Sequence, residues 1–286
     1  FPYTTLFRSG LVKAFLKAGI LTEDGLLADS TAGTPQGGIL SPLLANVALS
    51  VLDEHIAGLP GGPATGSVER ARRLRHGQPN FRLVRYADDW CLMVRGTRAH
   101  AEALQEDIAA VLATMGLRLA PDKTLITHID EGLDFLGWRI QRRRKRGTSC
   151  SYVYVHPSTK AVLAVKRKIK TLRRTVELNQ PLDDLLRRIN ATLQGWAGYF
   201  RAGVSSATFS YLSHYTWQTV WRWLRRKHRK STWKQLRRRY CGGGWWPTTE
   251  DRMLIDLEKI GTTRYRYRGA VIPSPWPTDE EDTTAA

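Results

Sequence analysis

Apolar positions recur along this chain in two kinds of pattern. From Ser41 the spacing is helical: Leu44, Val47, Ala48, Val51, Leu52 and His55 share one face, Ser41-Pro42 reads as a cap and first turn, and Gly58 ends the run. Leu11 to Ala18 reads as a shorter amphipathic helix. Leu59 to Asn80 is Gly/Pro-rich and then basic, which predicts a mobile surface insertion. Phe81 to Val94 is strand-prone on both sides of a polar break, so it predicts a hairpin with Asp88 and Asp89 at the turn. Thr97 then caps a helix bearing Ala101, Leu104, Ile108, Val111, Leu112 and Met115 on one face, closed by Gly116. Leu117–Ala120 and Thr124–Thr127 read as strands about a Pro121-Asp122 bend, with Lys123 on the bend. Phe135 to Trp138 lies in a further strand-like run. This order predicts an α+β fold, an antiparallel sheet with helices on one side.

Beyond Gln141 the pattern changes. A short strand at Tyr152–Val155 precedes four predicted helices. The first is capped by Ser158 or Thr159 and reaches Leu178. The second runs from Pro181 past Ile189, Leu193 and Trp196, the third over Ala207–Lys227, and the fourth from a Ser231 cap through Arg239. Gly242-Gly243-Gly244 ends this block, Trp245 to Pro277 shows no periodicity, and Asp279–Asp282 opens an acidic tail. The resulting division is residues 10–141, 152–241 and 242–286. The opening Phe1–Ser9 resembles translated adapter sequence and is set apart as non-native, and a first residue other than Met marks the chain as a fragment.

At 286 residues there is chain enough for about two domains, and 42% hydrophobic content is ordinary. The charge is not: 44 Lys+Arg against 26 Asp+Glu give +18, which predicts a polyanionic partner, nucleic acid before anionic membrane. The surplus is local. Between Arg139 and Tyr240, 26 lysines and arginines face acids only at Glu177, Asp183 and Asp184. Tryptophans and tyrosines interleave with them, and cations beside stacking rings suit RNA. Cys91, Cys150 and Cys241 are far apart and form no Cys-x-x-Cys pair, which excludes a zinc ribbon and predicts a reduced, cytosolic setting. No apolar run is long enough for a membrane span, so no membrane partner is expected.

Two stretches carry candidate chemistry. Neighbouring carboxylates at Asp88 and Asp89 repel unless a cation sits beside them, and oxygen donors without nearby His or Cys favour Mg²⁺ over Zn²⁺. A solvated Asp-Asp turn is the competing reading. Gly33-Thr34-Pro35-Gln36-Gly37-Gly38 exposes backbone just before a helix N-terminus, a place that can hold phosphate.

Four segments in order, GTPQGGILSPLLAN (Gly33–Asn46), RYADDW (Arg85–Trp90), GLRLAPDKT (Gly116–Thr124) and FLGW (Phe135–Trp138), make the chain resemble a group II intron-encoded reverse transcriptase. HPSTKAVLAVKRKIK (His156–Lys170) and LQGWAGYFR (Leu193–Arg201) resemble that family's maturase-specific domain, or thumb. The resemblance implies part of a polymerase palm followed by a basic helical thumb. It implies RNA-directed DNA polymerase activity with intron RNA, an RNA template, a DNA primer and deoxynucleoside triphosphates as partners, in the cytosol on RNA. Asp88 and Asp89 would hold Mg²⁺, and Lys123 would lie near the departing pyrophosphate. Pro35, Gln36, Gly37 and Gly38 would meet template and nucleotide, and Phe135, Leu136, Gly137 and Trp138 the primer. Lys160, Lys166, Arg167, Lys168, Lys170, Arg173, Arg174 and Arg201 are the candidate RNA contacts on the thumb. The family's palm has a further aspartate on an earlier strand, and Asp24 and Asp29 lie in a polar segment with no strand expected around them. The parent protein is therefore expected to polymerise and this chain alone not to. The competing function is a maturase that binds RNA without polymerising.

Overall fold

The computed structural model describes residues 10, 12–14, 16–17, 20–21, 27–28, 41–144, 146–147 and 149–263. They fall into two compact units, one reaching Ile126 and the other starting at Thr127. The expected break after Gln141 instead falls inside a strand.

In the first unit, two-residue strands β1 (Ile20–Leu21) and β2 (Leu27–Ala28) pair antiparallel, where no strand was expected. Helix α1 spans Ser41–Gly58, α2 Ser67–Arg75 and α3 Arg98–Thr114, and a hairpin joins β3 (Asn80–Tyr86) to β4 (Asp89–Arg95). The register sets Phe81 opposite Val94, Leu83 opposite Leu92 and Arg85 opposite Trp90. Those apolar side chains pack on Leu52 and Ile56 of α1 and Ile108 and Leu112 of α3. Alternation along each strand leaves Arg82, Val84, Tyr86 and Met93 exposed on the opposite face.

Three sequence expectations change here. The buried face of α1 is Leu49, Leu52 and Ile56, whereas Leu43, Val47 and Val51 are exposed. That helix is apolar on nearly all sides, so spacing alone does not choose its inner face. Leu59–Asn80 holds the helix α2 and is not a bare loop, tied at its end by the Arg73 guanidinium, which donates to the Pro79 carbonyl (3.1 and 3.3 Å). Leu117–Ile126 contains no strand. The Lys123 and Thr124 amides both donate to the Ala120 carbonyl (3.1 and 2.9 Å), and this tight turn replaces ladder pairing.

The second unit opens with a three-stranded antiparallel sheet, β5 (Leu133–Phe135), β6 (Trp138–Arg144) and β7 (Ser151–Pro157), in that spatial order. Helices α4 (Thr159–Thr175), α5 (Leu182–Phe200), α6 (Ser206–Lys227) and α7 (Trp233–Cys241) follow. Ser158 caps α4 by accepting from the Ala161 amide (3.2 Å), but the helix stops at Thr175, short of Leu178. Thr232 and not Ser231 caps α7. Its position puts Gln235 third in the helix, and the two side chains exchange bonds with each other's amides, a reciprocity Lys234 could not supply after Ser231.

Ile169, Leu185, Leu186, Ile189, Leu193, Leu212, Trp223 and Leu224 form one core. Residues 242–263, expected as an irregular segment apart from the helices, join that core. Leu254 and Leu257 are completely buried in it. The Asn190 side chain donates to the Met253 carbonyl (2.8 Å) and accepts from the Ile255 amide (2.9 Å), and the Thr263 amide donates to the Arg201 carbonyl (2.9 Å). The strap lacks periodicity because its backbone is satisfied by distant side chains and not by its own helix. Leu254→Ala should accordingly destabilise this unit by about 2–5 kcal/mol in urea unfolding. A loss below about 0.5 kcal/mol would place the strap outside the cooperative unit.

Candidate functional site

The Asp-bearing hairpin has a two-residue turn, but its central residues are Ala87 and Asp88. Asp89 is already the first residue of β4, paired with Tyr86. The two aspartates therefore do not share the turn as expected. Ala87 sits at φ +54°, a left-handed conformation that a residue with a Cβ adopts at a cost of about 1 kcal/mol or more. Such turns suit the twist of a hairpin, which is why the chain accepts a non-glycine there.

Arg85 holds this turn from the inner face. Its guanidinium donates to both carboxylate oxygens of Asp53 (2.5–3.1 Å), to Asn46 Oδ1 (2.8 Å) and to the Ala87 carbonyl (2.9 Å). The Asp53 carboxylate accepting from it raises the Arg85 pKa above its ordinary value, despite the opposing effect of burial. Asn46 and Asp53 are seven residues apart on α1, hence on one face, with the guanidinium spanning two helical turns. Sequence reading missed this latch. Its visible trace is two polar residues at heptad spacing in a largely apolar helix.

Asp88 and Asp89 are both exposed at the tip, and among the described residues neither carboxylate has a hydrogen bond or ion pair with the protein. No group of three or more His, Cys, Asp or Glu side chains gathers among the described residues. Two free carboxylates nonetheless fit Mg²⁺ as a partial donor set, because that ion is commonly held by one or two carboxylates together with substrate phosphates and water. Lys123 is exposed on its turn in the same unit, and no hydrogen bond or ion pair among the described residues joins it to either aspartate. Pro35, Gln36, Gly37 and Gly38 lie outside the described residues, as do Asp24 and Asp29.

In the second unit Phe135–Trp138 is a hairpin tip. Phe135 pairs with Trp138, and Leu136 (φ +48°) and Gly137 (φ +80°) make the turn. The Leu136 carbonyl accepts from Tyr199 Oη (2.8 Å), and the Gly137 carbonyl from the Ser158 amide (2.8 Å). Trp138 packs edge-on against Phe200 (centroids 4.8 Å), and its ring fills the space where any side chain on Gly203 would stand. Trp138 is thus a packing residue within this unit, while Gly137 is exposed at the tip.

The basic candidates separate by environment. Lys160, Arg167 and Arg174 repeat every seven residues on α4, opposite buried Val165 and Ile169, and are exposed together with Lys168, Lys170 and Arg201. Lys166 is not free. Its ammonium lies over the rings of Tyr211 (4.9 Å) and Tyr215 (4.8 Å) and bonds the Tyr211 hydroxyl. Arg173 is half-buried. Burial first, and then the neighbouring charges of Arg226, Arg174 and Arg222, push its pKa below the ordinary arginine value. No helix among the described residues is long and apolar enough to cross a membrane.

Comparison with known proteins matches two families to successive parts of the chain. The family described as reverse transcriptase (RNA-dependent DNA polymerase) matches residues 4–140, beginning inside the segment set apart as non-native, and the group II intron, maturase-specific domain matches residues 162–241. Protein YkfC of Escherichia coli (strain K12) is 37% identical over 160 residues, covering 51% of this chain and 42% of that protein. The group II intron-encoded protein LtrA of Lactococcus lactis subsp. cremoris is 31% identical over 224 residues, covering 63% and 35%. An uncharacterized 91 kDa protein in the cob intron of Schizosaccharomyces pombe is 28% identical over 244 residues, covering 66% and 30%. The chain thus spans less than half the length of each of these relatives.

The left-handed turn makes a distinctive prediction. Ala87→Gly should leave stability unchanged or raise it by up to about 1 kcal/mol, whereas Ala87→Val should lower it by at least about 1 kcal/mol. Thermal melts of the two variants check this, and equal behaviour would mean that position 87 does not carry the strain.

Proposed function

Because the chain belongs to the family of group II intron-encoded reverse transcriptases and maturases, we propose that its parent protein is an RNA-directed DNA polymerase whose basic helical unit binds intron RNA and assists splicing and mobility. The observation that carries this is the pair of exposed carboxylates, without a protein partner among the described residues, on a turn latched by Arg85. A solvated loop has no need for a half-buried guanidinium beneath it holding a strained residue in place.

In this reading Asp88 and Asp89 are the chain's contribution to an Mg²⁺ site. Bound there, Mg²⁺ supplies charge neutralisation for the triphosphate and lowers the barrier to in-line attack by a primer hydroxyl. Arg85 fixes the height and direction of the Asp88 backbone. Lys123, exposed and without an ion pair among the described residues, is suited to meet a leaving pyrophosphate as a cation or proton donor. The exposed Gly137 at the tip is suited to touch a primer strand beside Phe135 and Leu136, while Trp138 packs beneath the turn. Pro35, Gln36, Gly37 and Gly38 would approach template and nucleotide by their backbone. Among the described residues the tip offers two carboxylates and no third, so polymerisation is assigned to the parent protein and RNA binding to this chain. The setting is the cytosol, on RNA.

Asp88→Asn in the full-length parent should reduce primer extension at least about a hundredfold while leaving RNA affinity unchanged. Undiminished extension would refute the assignment and favour a maturase that binds without polymerising. For the helical unit, replacing Arg167, Lys168 and Lys170 by glutamine in the present chain should lower the slope of log affinity against log salt by about two to three. An unchanged slope would mean that this face is merely solvated.

A further inference from the structure

The tryptophans of the second unit range from fully buried to exposed. Trp221 and Trp223 are 2% and 1% exposed and belong to the core. Trp233 and Trp245 are 41% and 61% exposed. Trp217 meets both residues, Trp233 through its ring and Trp245 through its main chain. Its ring centroid lies 6.0 Å from that of Trp233, and its indole N–H donates to the Trp245 carbonyl (2.8 Å). Trp233 is backed by buried Trp221, with centroids 4.1 Å apart and planes 32° from parallel. Arg237 follows Trp233 by one helical turn on α7, and its guanidinium lies 4.6 Å from the Trp245 ring centre. The exposed imidazole of His214 stacks on Trp217 (6.2 Å, 15°).

Indoles left this open in water are not filling space in a core, and each is braced by a neighbour that fixes its plane. The surrounding charge has one sign. No acidic residue occurs between Asp184 and Glu250, and α7 adds exposed Lys234 and Arg238 beside Arg237. Flat apolar faces ringed by cations complement a flat heterocycle joined to phosphates. A phosphate-only ligand would have no use for the rings, and an apolar peptide none for the cations.

We infer that Trp233, Trp245 and Trp217, with Arg237, form a stacking site for unpaired nucleobases, distinct from the cationic row on α4. The inference rests on the reading above that this unit's partner is RNA, and it names the form of RNA taken: a single-stranded stretch. Of the polar side chains beside the rings, His214 and Gln218 pair with each other (2.7 Å), and the remaining ones are cations suited to phosphate. The site therefore discriminates paired from unpaired RNA strongly and base identity weakly. Stacking on indole depends on a π-face, which every base has.

The test uses the 286-residue chain and two labelled RNAs of equal length, one an unstructured single strand and one a blunt duplex. Trp245→Ala and Trp233→Ala should each weaken single-strand binding roughly tenfold, with the duplex changed less than about twofold and the salt slope of single-strand binding unaltered. Trp245→Phe and Trp233→Phe, which keep a stacking ring, should restore most of the loss. Circular dichroism melts accompany each variant, and Trp245→Ala is the decisive one because its ring lies largely outside the core. Unchanged single-strand affinity, or an equal loss for the duplex, overturns the inference while leaving the proposed RNA binding intact. Unchanged RNA binding coupled with loss of self-association in sedimentation would make the patch a protein interface and also overturns it. If the unaltered chain binds neither RNA, both the inference and the reading it rests on fall.

Discussion

A two-residue connection between antiparallel strands forces part of its backbone into the left-handed region, and in the first unit that constraint falls on an alanine. What keeps the turn in one state is the Arg85 guanidinium beneath it, anchored to Asp53 and Asn46 of α1. The interaction links three levels of the structure. It ties a strained residue to a helix and the helix to the apolar face of the hairpin. The two carboxylates are thereby held exposed at the tip, their oxygens uncommitted among the described residues. A bidentate guanidinium–carboxylate pair suits this task because its planar fork fixes direction as well as distance.

The second unit solves a different problem, an excess of cations on packed helices. Some are absorbed locally. Lys166 rests between two tyrosine rings, and Lys227 donates to the carbonyls of Leu178 (2.7 Å) and Gln180 (2.5 Å) at the α4–α5 junction. Burial, and then the nearby Arg239 charge, lowers the Lys227 pKa, so its binding of those carbonyls works against a partial loss of charge stability. Others, along the outer row of α4, are left to solvent and to whatever anion arrives. A basic sequence is therefore not a uniformly basic surface, and the residues most obvious in a run of Lys-Arg-Lys are not equally available.

Much of this was legible in the sequence. The Thr97 cap, the extent of the helix at Ser206–Lys227 and the hairpin about Tyr86–Trp90 follow from spacing and capping chemistry, which are local. What was not legible depended on contacts between distant positions. The inner face of α1 is chosen by what it meets, because that helix is apolar all round. Leu117–Ile126 has strand-like composition but lacks a neighbouring strand among the described residues. Trp138 reads as a site residue and packs as a structural one, since only the folded chain shows Gly203 making room for its ring. The exposed tryptophans could not be told from buried ones by sequence, as both kinds sit among the same arginines.

The strap over residues 242–263 bears on how the second unit comes into being. Asp183 and Asn190, near the start of α5, are satisfied by Thr249, Arg252, Met253 and Ile255, more than sixty residues later, and Ser213 of α6 by Asp256 and Leu257. During vectorial synthesis the helices emerge with part of their apolar surface waiting for chain not yet made. Long sequence separation of this kind slows the final closure and prolongs exposure of sticky surface. The cationic excess of the same helices offers a remedy, because like charges keep nascent copies apart until the last segment arrives.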